Sequence, residues 1–166
     1  AGIVLNDIGP VIDSKGLERI ASYVGREPKW ADWNSAAAAL KAKDAVIYPN
    51  LTDDQWLDYA EKTCRMKDDG FVVKDYDPAI AKAFQSPAAN LDLWPLFECL
   101  KQLPILLLRG ELSDLLSEET ANAMASKLPN LEVVTVADCG HAPMLSEPSA
   151  IDAINRFVAA IGNPLL

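Results

Sequence analysis

Basic charge is scarce in this sequence. Its 15 Lys and Arg are outnumbered by 24 Asp and Glu, for a net charge of −9. A nucleic-acid or anionic-membrane partner needs clustered cations, so both classes are excluded, and a small-molecule substrate is the expected ligand. Histidine occurs once and cysteine three times. A zinc site needs several such ligands at close spacing, so no metal and no other cofactor is implied. Cys64, Cys99 and Cys139 form no close pair, and their odd number fits free thiols in a reducing compartment better than a disulfide framework. Long apolar runs are missing too: Ile105 to Leu108 and Val133 to Val136 fall far short of the roughly 18 residues that a membrane helix needs. No charged segment followed by an apolar one opens the chain, so the expected location is cytoplasmic.

Glycine-rich phosphate loops are absent. The stretch Asp68-Asp69-Gly70 does not make a calcium loop, because the spacing places Arg65 and Lys67 where acids belong and Tyr76 where a glutamate belongs.

What is present changes character twice along the 166 residues. Gly2 to Leu5 reads as a buried strand that ends in turn chemistry at Asn6-Asp7-Ile8-Gly9-Pro10. Helical spacing then takes over. Leu17, Ile20, Ala21 and Val24 fall on one face behind a cap at Asp13 or Ser14, and Gly25 ends the run. A second helix starts near Asn34 or Ser35. A third begins with the capping box Thr52 and Gln55 and carries Trp56, Tyr59, Ala60 and Thr63 on one stripe. A short hairpin is expected around Asp68-Asp69-Gly70, and a short helix from Pro78 to Phe84.

From Asp92 the pattern becomes helix, strand, helix, strand, helix. Ile105 to Leu108 is too continuous an apolar run for a half-exposed strand and suits a parallel strand covered on both faces. Ser117 caps the next helix, Leu131 to Val136 is a second strand, and after Pro148 the residues Ile151, Ile154, Phe157, Val158 and Ile161 form an expected core face. Short connections of this kind make parallel strands with right-handed crossovers. The expected organisation is a core strand and turn at 1–12, a helical cap or lid at 13–90, and the rest of an α/β core at 91–166.

Ligand sites in open parallel sheets lie beyond the carboxyl ends of the strands. Two loops qualify there: Arg109-Gly110-Glu111-Leu112-Ser113-Asp114 and Ala137-Asp138-Cys139-Gly140-His141-Ala142-Pro143. A lone histidine more often has a packing or surface role. Its place in a glycine-containing loop beside a carboxylate-rich one, however, is what an acid–histidine pair requires. Glu111, Asp114 and Asp138 are the carboxylates of these loops, Glu111 being the one best suited to a structural polar contact. Trp30, Trp33 and Trp56 either wall a pocket or hold the cap helices together. Trp33 and Trp56 are the candidates for substrate contact.

The stretch Pro104 to Asp114, followed by Gly140-His141-Ala142-Pro143-Met144-Leu145-Ser146-Glu147-Pro148, is similar to the C-terminal end of α/β-hydrolases. Leu5 to Pro10 also resembles the strand and turn before the cap in bacterial, esterase-like members. The resemblance covers nearly the whole chain. It implies the C-terminal part of an α/β-hydrolase fold, parallel strands flanked by helices with a helical cap insertion, and assigns Asp114 as triad acid and His141 as general base. Glu111 and Asp138 are nearby alternatives for the acid, and Asp7 is a further one, because certain relatives place the acid after the earlier strand.

The family's nucleophile sits in a Gly-x-Ser-x-Gly elbow, which these residues do not contain; Ser113, Ser117 and Ser146 lack the flanking glycines. The parent protein is therefore expected to hydrolyse small esters or related acyl compounds through a nucleophile upstream of Ala1. An aspartate there would make it dehalogenase- or epoxide-hydrolase-like. The chain alone is expected to be inactive and to require its N-terminal portion or another copy of itself. The alternative is a noncatalytic binding module that retains the fold.

Overall fold

The computed structural model describes residues 1–85 and 92–162. The chain divides into two compact units, Ala1–Glu18 with Asn90–Leu166, and Arg19–Ala89. The expected boundary at 90/91 lies outside the described residues.

The first unit is built on a parallel sheet. Strand β1 (Ile3–Asn6) pairs with β5 (Ile105–Gly110), which pairs with β6 (Leu131–Val136), in the order β1-β5-β6. Helix α4 (Trp94–Glu98) precedes β5, α5 (Glu118–Lys127) joins β5 to β6, and α6 (Pro148–Gly162) follows. Strand β5 is buried at every position, as its continuous apolar run requires of the middle strand. Its outer neighbour β1 is not: Val4 is 40% exposed, because no second strand pairs with β1 among the described residues.

Ile105 and Leu107 pack with Phe97, Leu116, Ala121, Met124 and Leu128 into the core between β5 and α5. Ser117 caps α5 by accepting the N–H of Thr120 at 3.0 Å, and Glu118 and Glu119 sit in its first turn, where the helix dipole favours negative charge.

Helix α6 differs from expectation. Its buried residues are Ala150, Ala153 and Phe157, whereas Ile151 and Val158 are exposed. The alanines let the helix approach closely, and the stripe they define with Phe157 lies about 100° from Ile151 and Val158.

In the second unit, α2 (Trp33–Asp44) packs on α3 (Asp53–Thr63), and β2 (Lys29–Trp30), β3 (Cys64–Met66) and β4 (Val72–Lys74) form a small antiparallel sheet in the order β2-β4-β3. The β3–β4 hairpin turns at Gly70, whose φ of +82° favours glycine. The capping box of Thr52 and Gln55 is formed at the start of α3. A 3-10 helix, Pro78–Gln85, follows the hairpin. No helix among the described residues is long and apolar enough to cross a membrane.

Candidate active site

Register brings three loops to one edge of the parallel sheet. Asn6 is level with Leu108, and Gly110 with Val136, so the residues leaving β1, β5 and β6 emerge side by side. Asp7, immediately after β1, donates its N–H to the carbonyl of Leu108 at 2.7 Å and adopts a left-handed backbone with φ 54°. Asp is one of the few residues that tolerate that conformation, and a strained backbone at a strand end is a mark of a functional position.

The Asp7 side chain is fully buried. Its Oδ1 accepts the N–H of Gly110 at 2.9 Å, and its Oδ2 accepts the hydroxyl of Ser113 at 2.7 Å. The same Oδ2 lies 2.9 Å from Nδ1 of His141, and the Asp7 carbonyl oxygen is 3.2 Å from that nitrogen. Three donors suit an ionised carboxylate, which only accepts. Both oxygens facing Nδ1 are acceptors, so the hydrogen of the neutral imidazole belongs on Nδ1. Nε2 is left as the basic nitrogen. The His141 side chain keeps 23% of its exposure while its partner is sealed from water.

In the structure, then, the carboxylate that meets the His141 ring is that of Asp7, directly after β1. Asp114 follows Ser113 in the loop after β5, and its backbone carbonyl packs where a Cβ on Gly16 would come within 2.6 Å. The loop after β5 serves the site differently. Glu111 Oε2 accepts the N–H of Asp138 at 3.0 Å, the structural contact that suited it best in the sequence, and so ties the β5 loop to the histidine loop. Gly110 lies so close to the second loop that a Cβ there would meet the carbonyls of Gly140 at 2.5 Å and Cys139 at 2.7 Å. Arg109, itself buried, donates from Nε to the Leu116 carbonyl at 2.9 Å and holds the far end of the turn. On the other side of the histidine, Asn6 Nδ2 donates to the Pro143 carbonyl at 3.0 Å, and Glu147 Oε1 accepts the Met144 N–H at 2.9 Å.

Cys139 is no nucleophile. Burial, together with the carboxylates of Glu147 and Asp7, pushes its thiol up to about 12, so it stays protonated at neutral pH. Of the tryptophans, Trp56 is 2% exposed and packs edge-on against Tyr48 and Tyr59, at centroid distances of 6.2 and 5.6 Å. It packs in the core of the second unit, where the α3 stripe of Trp56 and Ala60 is turned inward. Trp33 opens α2 and is half-buried in the same unit.

No protein-family model matches the chain. Its structure superposes on that of an alpha/beta hydrolase from Novosphingobium aromaticivorans with a TM-score of 0.89 and 44% identity, over 96% of this chain and 56% of that one. The chain has the α/β-hydrolase fold. The chain is also 30% identical over 164 residues to a 3-hydroxybutyrate-oligomer hydrolase of Cupriavidus necator, covering 93% of its own length and 55% of that protein. An E-2-(acetamidomethylene)succinate hydrolase, at 24% identity and a TM-score of 0.73 over 98% of this chain and 57% of that one, shares the fold. The chain spans little more than half the length of each of these hydrolases.

Proposed function

We propose that the protein to which this chain belongs hydrolyses small esters or related acyl compounds, with His141 as general base and Asp7 as the acid that orients it. The observation that carries this reading is the 2.9 Å contact between Asp7 Oδ2 and His141 Nδ1 at the carboxyl edge of the sheet. Nε2 takes the proton of a nucleophile supplied from outside these 166 residues as that group attacks the acyl carbon, and returns it to the departing alkoxide. A water, deprotonated by the same Nε2, then attacks the acyl carbon; the bond to the nucleophile breaks, Nε2 returns the proton to the nucleophile, and the acid leaves. Asp7 stabilises the imidazolium formed in each half. The name of the Cupriavidus relative adds oligomers of 3-hydroxybutyrate, themselves esters, as a substrate class to assay. Trp33 is the residue of the second unit proposed to touch substrate, and the nucleophile-bearing remainder, or a second copy of the chain, is the proposed protein partner. Location in the cytoplasm belongs to the same reading.

The test is turnover of p-nitrophenyl esters by the longer protein before and after His141→Ala. A fall in kcat of at least about a thousandfold is expected. Activity that survives the substitution would sink the proposal. The 166-residue chain by itself should leave the esters intact.

A further inference from the structure

Ser113 is the one hydroxyl that touches the Asp7 carboxylate among the described hydrogen bonds, and its own bonding leaves no freedom of direction. Its Oγ accepts the N–H of Leu115 at 3.2 Å and that of Leu116 at 3.0 Å. A hydroxyl has two lone pairs and one hydrogen, so with both lone pairs engaged the hydrogen goes to Asp7 Oδ2, 2.7 Å away. That is the same oxygen that faces Nδ1 of His141.

We propose that Ser113 is a positioning residue for the acid: its hydroxyl, aimed by two backbone N–H groups, fixes the rotation of the Asp7 carboxylate and holds the His141 hydrogen on Nδ1. The inference rests on the reading of Asp7 and His141 as acid and base. A donor on Oδ2 withdraws electron density from the oxygen that would otherwise compete for the imidazole hydrogen. With Gly110 N–H on Oδ1, it also leaves the carboxylate a single orientation. The turn from Ser113 to Leu116, anchored in turn by Arg109, thereby transmits the rigidity of β5 to a side chain carried by β1.

The experiment exploits the fact that His141 is the only histidine of the chain. Nitrogen-15 and proton NMR of the imidazole are recorded for the wild type, Ser113→Ala, Ser113→Thr and Arg109→Met. The wild type should give a downfield Nδ1–H and the nitrogen shifts of a single tautomer. In Ser113→Ala the Nδ1–H should exchange at least about tenfold faster, as befits the loss of one net hydrogen bond, and the two nitrogen shifts should converge. Ser113→Thr, which keeps the hydroxyl, should behave as the wild type. Arg109→Met loosens the same turn but leaves the hydroxyl in place, and should preserve the tautomer.

Unchanged imidazole signals in Ser113→Ala would overturn the proposal, as would equal disturbance in Ser113→Ala and Arg109→Met. In the longer protein, Ser113→Ala should lower kcat by roughly ten- to a hundredfold with KM little changed. A wild type without esterase activity would refute the functional reading and leave the NMR result standing, so the two failures are distinguishable.

Discussion

The carboxylate of Glu111 accepts the backbone N–H of Asp138 at 3.0 Å, joining the loop after β5 to the loop that carries the histidine. Asp138 has a left-handed backbone, φ 57°, and this contact helps hold it there. Replacing Glu111 with Ala removes the acceptor while leaving Asp7 and His141 untouched. The expected result is a loss of about 1–2 kcal/mol in urea unfolding, with Glu111→Gln, which keeps an acceptor oxygen, losing less. Equal stability in all three proteins would show that the strap is not formed in solution.

The choice between the two aspartates has a direct kinetic consequence. In the longer protein, Asp7→Asn should reduce kcat by roughly ten-thousandfold, because an amide can present its N–H to Nδ1 and favour the wrong tautomer. Asp114→Asn should stay within about tenfold of wild type. Steady-state kinetics on both variants decides the matter, and the reverse ranking would return the acid to the loop after β5.

Gly110 admits no side chain without displacement of the histidine loop. A Cβ would stand 2.5 Å from one carbonyl oxygen and 2.7 Å from another, both on backbone that cannot swing aside as a side chain does. Gly110→Ala should destabilise the fold by about 1–3 kcal/mol and move the amide resonances of Cys139 and Gly140. Chemical-shift mapping together with denaturant titration checks both parts.

The cysteines should separate by reactivity. Cys99 is exposed, whereas Cys64 and Cys139 are buried. Burial raises the Cys139 thiol from 9.0 to about 12, so in the folded protein its thiolate is rare at pH 8. A disulfide reagent at that pH should label Cys99 at once and Cys139 only after unfolding. The raised value also has a sign for stability: the contribution of Cys139 is intact below pH 9, where both states hold the proton, and is lost as pH climbs from 9 towards 12. Fast labelling of Cys139 in the native protein would contradict the burial.

Trp56 offers a contrast between packing and substrate contact. As a core residue of the second unit, its truncation to Ala should cost about 3–5 kcal/mol. Trp56→Phe should melt lower than wild type yet keep KM for small esters. A selective rise in KM with an unchanged melt would restore it as a substrate contact.

The strands of the parallel sheet were legible because burial on both faces writes a continuous apolar run, as Ile105 to Leu108 shows. The caps Thr52 and Ser117 were legible because their partners lie three residues away. His141 was legible from its place just past β6. That the Asp7 carboxylate is the one meeting it was less so, because proximity along the sheet favours β5, the neighbour of β6, and its loop carries the carboxylates.

Asp7 reaches the histidine from β1, across 134 residues of sequence, and only the fold reveals that the intervening loop supplies a hydroxyl and a backbone N–H to its carboxylate. The signal available beforehand was Asp7 itself, a carboxylate directly after a strand in a turn of Gly and Pro. The strand β2 was invisible for another reason: two residues carry no periodicity.

The left-handed backbone at position 7 restricts which neighbours in mutational space the protein can visit. Aspartate, asparagine and glycine are the residues most at ease there, and two of the three have no carboxylate. Under the proposed roles, a single codon change would therefore silence the chemistry while the chain keeps folding. Descendants that have retired from catalysis would be hard to tell from working ones by stability or shape, and position 7 is where they would differ.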